Sequence, residues 1–150
     1  MMEQIKELRE RTGAGVMDAK NAIAEANGNM EKAIEIIRAK GLARAEEKSD
    51  REVKSGKVYC YTHAGGLSAA MVEIACETDF VANTTEFMEL CKEVALQIVS
   101  MNPNDVDELL AQAYIRDGSK TIEQLVKEAI GKTKENIRII RFARFKLGTE

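Results

Sequence analysis

Among the side chains able to do chemistry, the sole histidine, His63, lies at a hairpin end where a solvated or packed histidine is the ordinary case, and no nearby sequence signal supplies a nucleophile to pair with it, so nothing points to general acid–base catalysis. Cys60, Cys76 and Cys91 are an odd set without Cys-x-x-Cys spacing, which suits neither a disulfide framework nor a zinc site and fits a reducing cytoplasm. Gly13-Ala14-Gly15 lacks the preceding strand and the following Lys-Ser/Thr of a phosphate loop. No enzyme activity, metal site or cofactor is therefore expected. What stands out is Glu77-Thr78-Asp79-Phe80-Val81-Ala82. Thr78 and Asp79 directly follow a strand-like run and are suited to hold a turn by accepting backbone N–H groups. Phe80 then sits at the tip, either folded back into its own core, the commoner fate of an aromatic by residue type, or presented outward.

The bulk properties narrow the partners. The chain has 150 residues, 45% hydrophobic and 31% charged, enough for one core and a small satellite module. Its net charge is −3, so a phosphate-backbone ligand is not indicated. Aromatic residues make up 5% and tryptophan is absent, which leaves little for stacking single-stranded bases. Met1-Met2-Glu3-Gln4-Ile5-Lys6 is charged from the start, unlike a secretory signal. No segment has the uncharged length of a membrane span. A cytoplasmic protein with neither nucleic acid nor membrane as a direct partner is expected.

The elements that must position the Asp-Phe run can be read from periodicity and punctuation. Residues 1–40 carry apolar stripes for three short helices: Ile5 and Leu8, then Val16, Ala19, Ile23 and Ala26, then Met30, Ala33, Ile34 and Ile37. Thr12-Gly13-Ala14-Gly15 separates the first two, Asn27-Gly28-Asn29 the second and third, and Gly41 is expected to end the third. So small a bundle suits a docking module. Residues 41–57 alternate charges with Ala and Gly and read as a solvated helical extension and linker. Residues 58–150 form the expected α+β core. Lys57 to His63 and Ser68 to Cys76 are strands joined by the turn Ala64-Gly65-Gly66-Leu67. A helix is expected from a cap at Asn83, with Phe87, Leu90, Cys91, Val94 and Ile98 inward, stopping before Pro103. Asp105 to Gly118 reads as one short helix and a turn. Thr121 and Gln124 make a capping box for a helix that Gly131 closes, and Ile137 to Leu147 is the third strand. The fold class is thus α+β: a three-helix bundle, a linker helix, and a three-stranded antiparallel sheet with helices on one face.

The last strand looks apolar on both faces. Ile137, Ile139, Ala143, Phe145 and Leu147 alternate, while Ile140 and Phe142 fall opposite. With Tyr59, Tyr61 and Met71 they suggest a face too apolar for water, which a second copy of the sheet would cover in a homodimer, unless a strand bulge reassigns part of the set. The expected dimer face is Tyr59, Tyr61, Met71, Ile140 and Phe142.

Three stretches resemble a known family. Leu8-Arg9-Glu10-Arg11-Thr12-Gly13-Ala14-Gly15-Val16-Met17-Asp18-Ala19-Lys20-Asn21-Ala22-Ile23 is similar to the N-terminal signature of elongation factor Ts. Glu73-Ile74-Ala75-Cys76-Glu77-Thr78-Asp79-Phe80-Val81-Ala82-Asn83 is similar to its second signature, and Ile140 to Gly148 resembles its last strand. Ala75 stands where the family usually has a polar residue and Ile23 where it usually has leucine. Long members have two core subdomains and a helical-hairpin insertion. With material for one core, this chain resembles the short members, which pair as dimers.

The resemblance implies a guanine-nucleotide exchange factor for elongation factor Tu in translation, binding its GDP-bound and nucleotide-free forms. It implies that Phe80 enters the G domain near the magnesium and phosphate site, that Thr78, Asp79 and Val81 form or flank the inserted turn, and that Arg11, Thr12, Gly13, Val16 and Met17 dock on the GTPase. Read locally, Arg11 is instead solvated, and Val16 and Met17 share the small core. Three helices with a glycine-containing first loop also resemble ubiquitin-associated domains, so the rival reading is an interaction adaptor whose sheet only dimerises. That rival leaves the Asp79-Phe80 run unexplained.

Overall fold

The structure, a computed structural model, describes residues 1–148; Thr149 and Glu150, the end of the expected core unit, lie outside the described residues. Helices α1 (Met2–Thr12), α2 (Val16–Glu25) and α3 (Met30–Glu47) come first. Helix α1 stops where Gly13 takes φ 72°, a left-handed conformation that costs glycine little. Asn29 caps α3, its side chain accepting from the Lys32 N–H at 3.1 Å. Leu8, Ala19, Ala22, Ile23, Ala26, Ala33 and Ile34 form a buried cluster of their own, in which four alanines let the helices approach closely.

Helix α3 does not end at Gly41. It runs on to Glu47 and buries Ala45 in the second, larger core, so residues 41–47 are helix packed on the protein and not solvated spacer. A glycine inside a helix costs about 1 kcal/mol, and here it gives close approach. Helix α7 (Ile122–Thr133) crosses α3 so tightly that a Cβ on Gly131 would lie 3.3 Å from the Gly41 Cα. Gly131 likewise does not close its helix, which ends at Lys134 in a left-handed conformation.

The larger unit is a sheet of β1 (Ser55–His63), β2 (Ser68–Cys76) and β5 (Ile137–Lys146), all antiparallel in the order β1-β2-β5. Between β2 and β5 lie α4 (Asp79–Ala82), α5 (Thr85–Met101), α6 (Val106–Ala111), the short strands β3 (Ala113–Tyr114) and β4 (Asp117–Thr121), and α7. Val72, Ile74, Phe87, Leu90, Cys91, Val94, Ile98, Ile122, Ile130 and Ile137 are among the residues that fill the space between sheet and helices. The capping box of Thr121 and Gln124 is present at the start of α7. Thr84, not Asn83, caps α5, because Asn83 closes α4 by donating its side-chain amide to the Asp79 carbonyl at 2.8 Å. The β3–β4 hairpin replaces the expected bare turn. Buried Gln97 holds it from α5, donating to the Ala113 carbonyl at 3.0 Å and accepting from the Ile115 N–H at 3.0 Å.

A bulge settles which face of β5 is covered. Glu73 pairs with Arg141 and Ile74 with Ile139, which leaves Ile140 as the extra residue and reverses the alternation beyond it. Phe142 therefore packs on the helix side, as do Tyr59 and Tyr61, contrary to their expected place on the open face. That open face carries Val58, Cys60, Met71, Ala143 and Phe145 instead, with Met71 paired between Cys60 and Ala143.

Gly56 adopts φ 142° with its Cα turned to the β2 backbone, where a Cβ would lie 2.2 Å from the Ile74 carbonyl oxygen. Gly56→Ala should destabilise the chain by at least about 1–3 kcal/mol, read as a lower midpoint in urea. Within the helical module, Arg44 donates to both Asp18 oxygens at 2.9 and 3.0 Å. This hydrogen bond, opposed by some desolvation, holds the Asp18 carboxyl below its ordinary value. Its stabilisation is present above the unfolded-state value and is lost as pH falls through the depressed folded one. Because the Arg44 side chain is 38% exposed, the pair is worth no more than about 1 kcal/mol. Asp18→Asn should cost that much at pH 7, and the difference from the native chain should vanish in acid, as measured by urea midpoints across pH.

Candidate functional site

The Asp-Phe run forms α4, one helical turn wedged between β2 and α5. So short a helix cannot stand on intrinsic propensity, and its surroundings show what holds it. Thr78, extended at φ −131° and ψ 155°, is the N-cap and accepts from the Val81 N–H at 3.3 Å. Val81 and Ala82 are buried in the main core. With that side of the turn anchored, Phe80 is turned out and 84% exposed. The alternative that it folds back into its own core is thereby excluded. A large aromatic held outward on a braced turn is suited to burial in a partner.

Two sets of contacts brace the turn from opposite sides. From β1, the Ser55 hydroxyl donates to the Asp79 carboxylate, and Lys57 donates to the Asn83 side-chain carbonyl at 2.9 Å. From the segment joining α7 to β5, Glu135 accepts the N–H groups of Glu77 and Thr78 at 3.2 and 2.9 Å on one oxygen, and the Thr78 hydroxyl at 2.7 Å on the other. The Cys76 thiol donates to the Thr78 carbonyl at 3.2 Å, and burial, reinforced by the nearby Glu135 charge, pushes that thiol up from its ordinary value. Ser55, Lys57 and Glu135 were not legible as site residues, since none lies in a motif and Glu135 is 57 positions from Thr78.

The N-terminal candidates divide. Val16 and Met17, at the start of α2, are 50% and 63% exposed, outside the small core and free to meet a partner. Arg11 is tied within the module to Glu7 and Glu31, at 3.6 and 3.1 Å. The Thr12 hydroxyl is used locally, donating to the Leu8 carbonyl at 2.6 Å and accepting from the Ala14 N–H at 3.3 Å. Gly13 lies against the Lys132 stem, so close that a Cβ would sit 3.2 Å from its Cγ. Arg11, Thr12 and Gly13 border a cavity of about 170 Å³ between α3 and α7, whose lining includes none of residues 78–81. The structure thus presents two separate exposed features, the start of α2 and the Phe80 turn.

Of the expected dimer face, Met71 and Ile140 are exposed, at 51% and 40%. Tyr59, Tyr61 and Phe142 are not available there, as they lie against the core. Phe145, at 76%, and Val58, at 61%, take their place. His63 ends β1, its Nδ1 2.9 Å from the Tyr61 hydroxyl. Among the described residues no group of His, Cys, Asp or Glu is arranged to hold a metal ion, and no helix is long and apolar enough to cross a membrane.

Comparison with known proteins agrees with the signatures. A family model described as elongation factor TS matches residues 77–150. Elongation factor Ts of Caldanaerobacter subterraneus subsp. tengcongensis is 43% identical, with 97% of this chain and 96% of the relative covered. That of Leptospira biflexa is 41% identical over the same shares. The alignment with either runs over 191 positions against 150 residues here, so each relative has residues without counterpart in this chain. That of Aquifex aeolicus is 45% identical over 149 positions, covering 96% of this chain but 51% of the relative. On this extent of similarity, together with the signature turn placed at the surface, the chain belongs to the elongation factor Ts family.

Proposed function

We propose that the protein is a cytoplasmic guanine-nucleotide exchange factor for elongation factor Tu, and that Phe80 is the wedge that promotes GDP release. The observation that carries this reading is the outward, braced Phe80. The first turn of α2, through Val16 and Met17, docks the three-helix, ubiquitin-associated-like module on the GTPase, with Arg11, Thr12 and Gly13 shaping the loop behind it. Thr78, Asp79 and Val81 hold the wedge, and Phe80 enters near the magnesium and phosphate site. No covalent chemistry is needed. A factor that binds the nucleotide-free GTPase more tightly than the GDP form must weaken GDP binding by the same factor, each tenfold corresponding to about 1.4 kcal/mol. An adaptor acting through the three helices alone would have no use for an exposed aromatic on the core.

A homodimer formed through the open sheet face accompanies this reading. Val58, Met71 and Phe145 are all more than half exposed on that side of the sheet, and a twin sheet would cover them.

In an assay following release of fluorescent GDP from purified elongation factor Tu, the native chain should accelerate release, and Phe80→Ala should slow the stimulated rate by about tenfold or more. Circular dichroism should show its fold unchanged, because the side chain packs on little of its own protein. Native rates from that variant would refute the wedge, and no stimulation by the native chain would reject exchange altogether. Independently, sedimentation at micromolar concentration should give a dimer mass, and Phe145→Glu with Met71→Lys should give a monomer. A native chain that sediments as a monomer at every concentration would sink the dimer.

A further inference from the structure

We infer that Glu135 is a positioning residue for exchange, setting the Phe80 turn before any partner arrives. The inference rests on the wedge reading above and adds the residue that sets the wedge. Thr78 has one hydroxyl with two tasks. Its oxygen caps α4 by accepting the Val81 N–H, and its hydrogen goes to Glu135. The carboxylate therefore fixes the orientation of the capping hydroxyl while its other oxygen takes the two backbone N–H groups entering the turn. A carboxylate accepting three such bonds makes a strong, directional anchor. Glu135 thus brings a charged side chain onto the backbone of residues 77 and 78, ahead of Phe80 in the chain.

The anchor is itself tied down in a reciprocal way. The next residue, Asn136, is 2% exposed and donates its backbone N–H to the Glu77 carboxylate at 2.6 Å. Its side-chain amide donates to the carbonyls of Ser49 and Arg51, at 3.3 and 2.8 Å, and Arg51 pairs with Glu77 at 3.7 Å. Each of the two segments thus presents a glutamate to the other's backbone, and Asn136 fastens both to the residues that follow α3. A turn preset in this way pays less ordering cost when it enters a partner. Its loss should lower the maximal stimulated rate, while the half-saturating concentration, set by docking of the helical module, changes less.

The test is a double-mutant cycle on stimulated release of fluorescent GDP from elongation factor Tu. Glu135→Ala should lower the maximal rate about tenfold, and Glu135→Gln, whose amide nitrogen cannot accept from Thr78, by less. The Val81 amide should exchange its hydrogen faster in both. In a Phe80→Leu background, which keeps part of the wedge, the effect of Glu135→Ala should shrink, since the residue acts through Phe80. If Glu135→Ala folds poorly, Glu135→Gln and Thr78→Val run in the same two backgrounds give the same reading. A native maximal rate for the Glu135 variants beside a slow Phe80→Ala overturns the inference alone. So does an equal loss in both backgrounds, which would mark a general folding role. A native rate for Phe80→Ala removes the wedge reading, and this inference with it.

Discussion

A single turn of helix has no stability of its own, and the exposed Phe80 is carried on one. Nucleating a helical turn fixes several dihedrals for one hydrogen bond, so α4 exists only because its ends and one of its sides are held. The Thr78 cap, the buried Val81 and Ala82, and the Asn83 amide closing back on Asp79 supply that hold. Everything that brings Ser55 and Glu135 to the turn follows from the larger architecture: β1 and β5 must flank β2, and α7 must deliver its C-terminus beside the end of β2.

The joint between the helical module and the core has a similar economy. Helix α3 belongs to both cores, contributing Ala33 and Ile34 to one and Ala45 to the other. Two glycines, Gly41 and Gly131, let it cross α7 at near backbone contact, and the Lys132 stem lies across Gly13 beside that crossing. A pair of helices meeting without side chains between them has little freedom to slide, since interiors resist small displacements. The module is thereby carried on the core by packed helix, and Ser49 and Arg51, which follow α3, are held by Asn136 from the same segment that anchors the Phe80 turn.

The bulge at Ile140 decides how the sheet meets its surroundings. Without it Phe142 would face outward and Phe145 inward; with it the tyrosines of β1 and Phe142 lie with the helices. The open face then mixes Val58, Met71 and Phe145 with Glu73 and Arg141, which pair across strands at 2.8 Å. Such a face sets an apolar patch beside a cross-strand ion pair.

Sequence alone determined those features whose cause lies within a few residues. The breaks at Gly13 and Asn27-Gly28-Asn29, the caps at Thr78 and Thr121, and the strand–turn–strand run from Lys57 to Cys76 are local hydrogen bonding and local periodicity, and they appear where residue type places them. The glycines at 41 and 131 read as helix ends because a lone chain offers no partner helix to explain them; only the crossing shows their use. The β3–β4 hairpin depends on Gln97 reaching across from α5, and the faces of β5 depend on a register slip against β2. Whether Phe80 would be core or tip could not be told from its type, since burial is settled by what Val81 and Ala82 pack against. Ser55 and Glu135, 24 and 57 residues from the groups they hold, carry no local signal at all. Residue type and spacing thus located the turn, and contacts between segments distant in sequence decided that its aromatic faces outward.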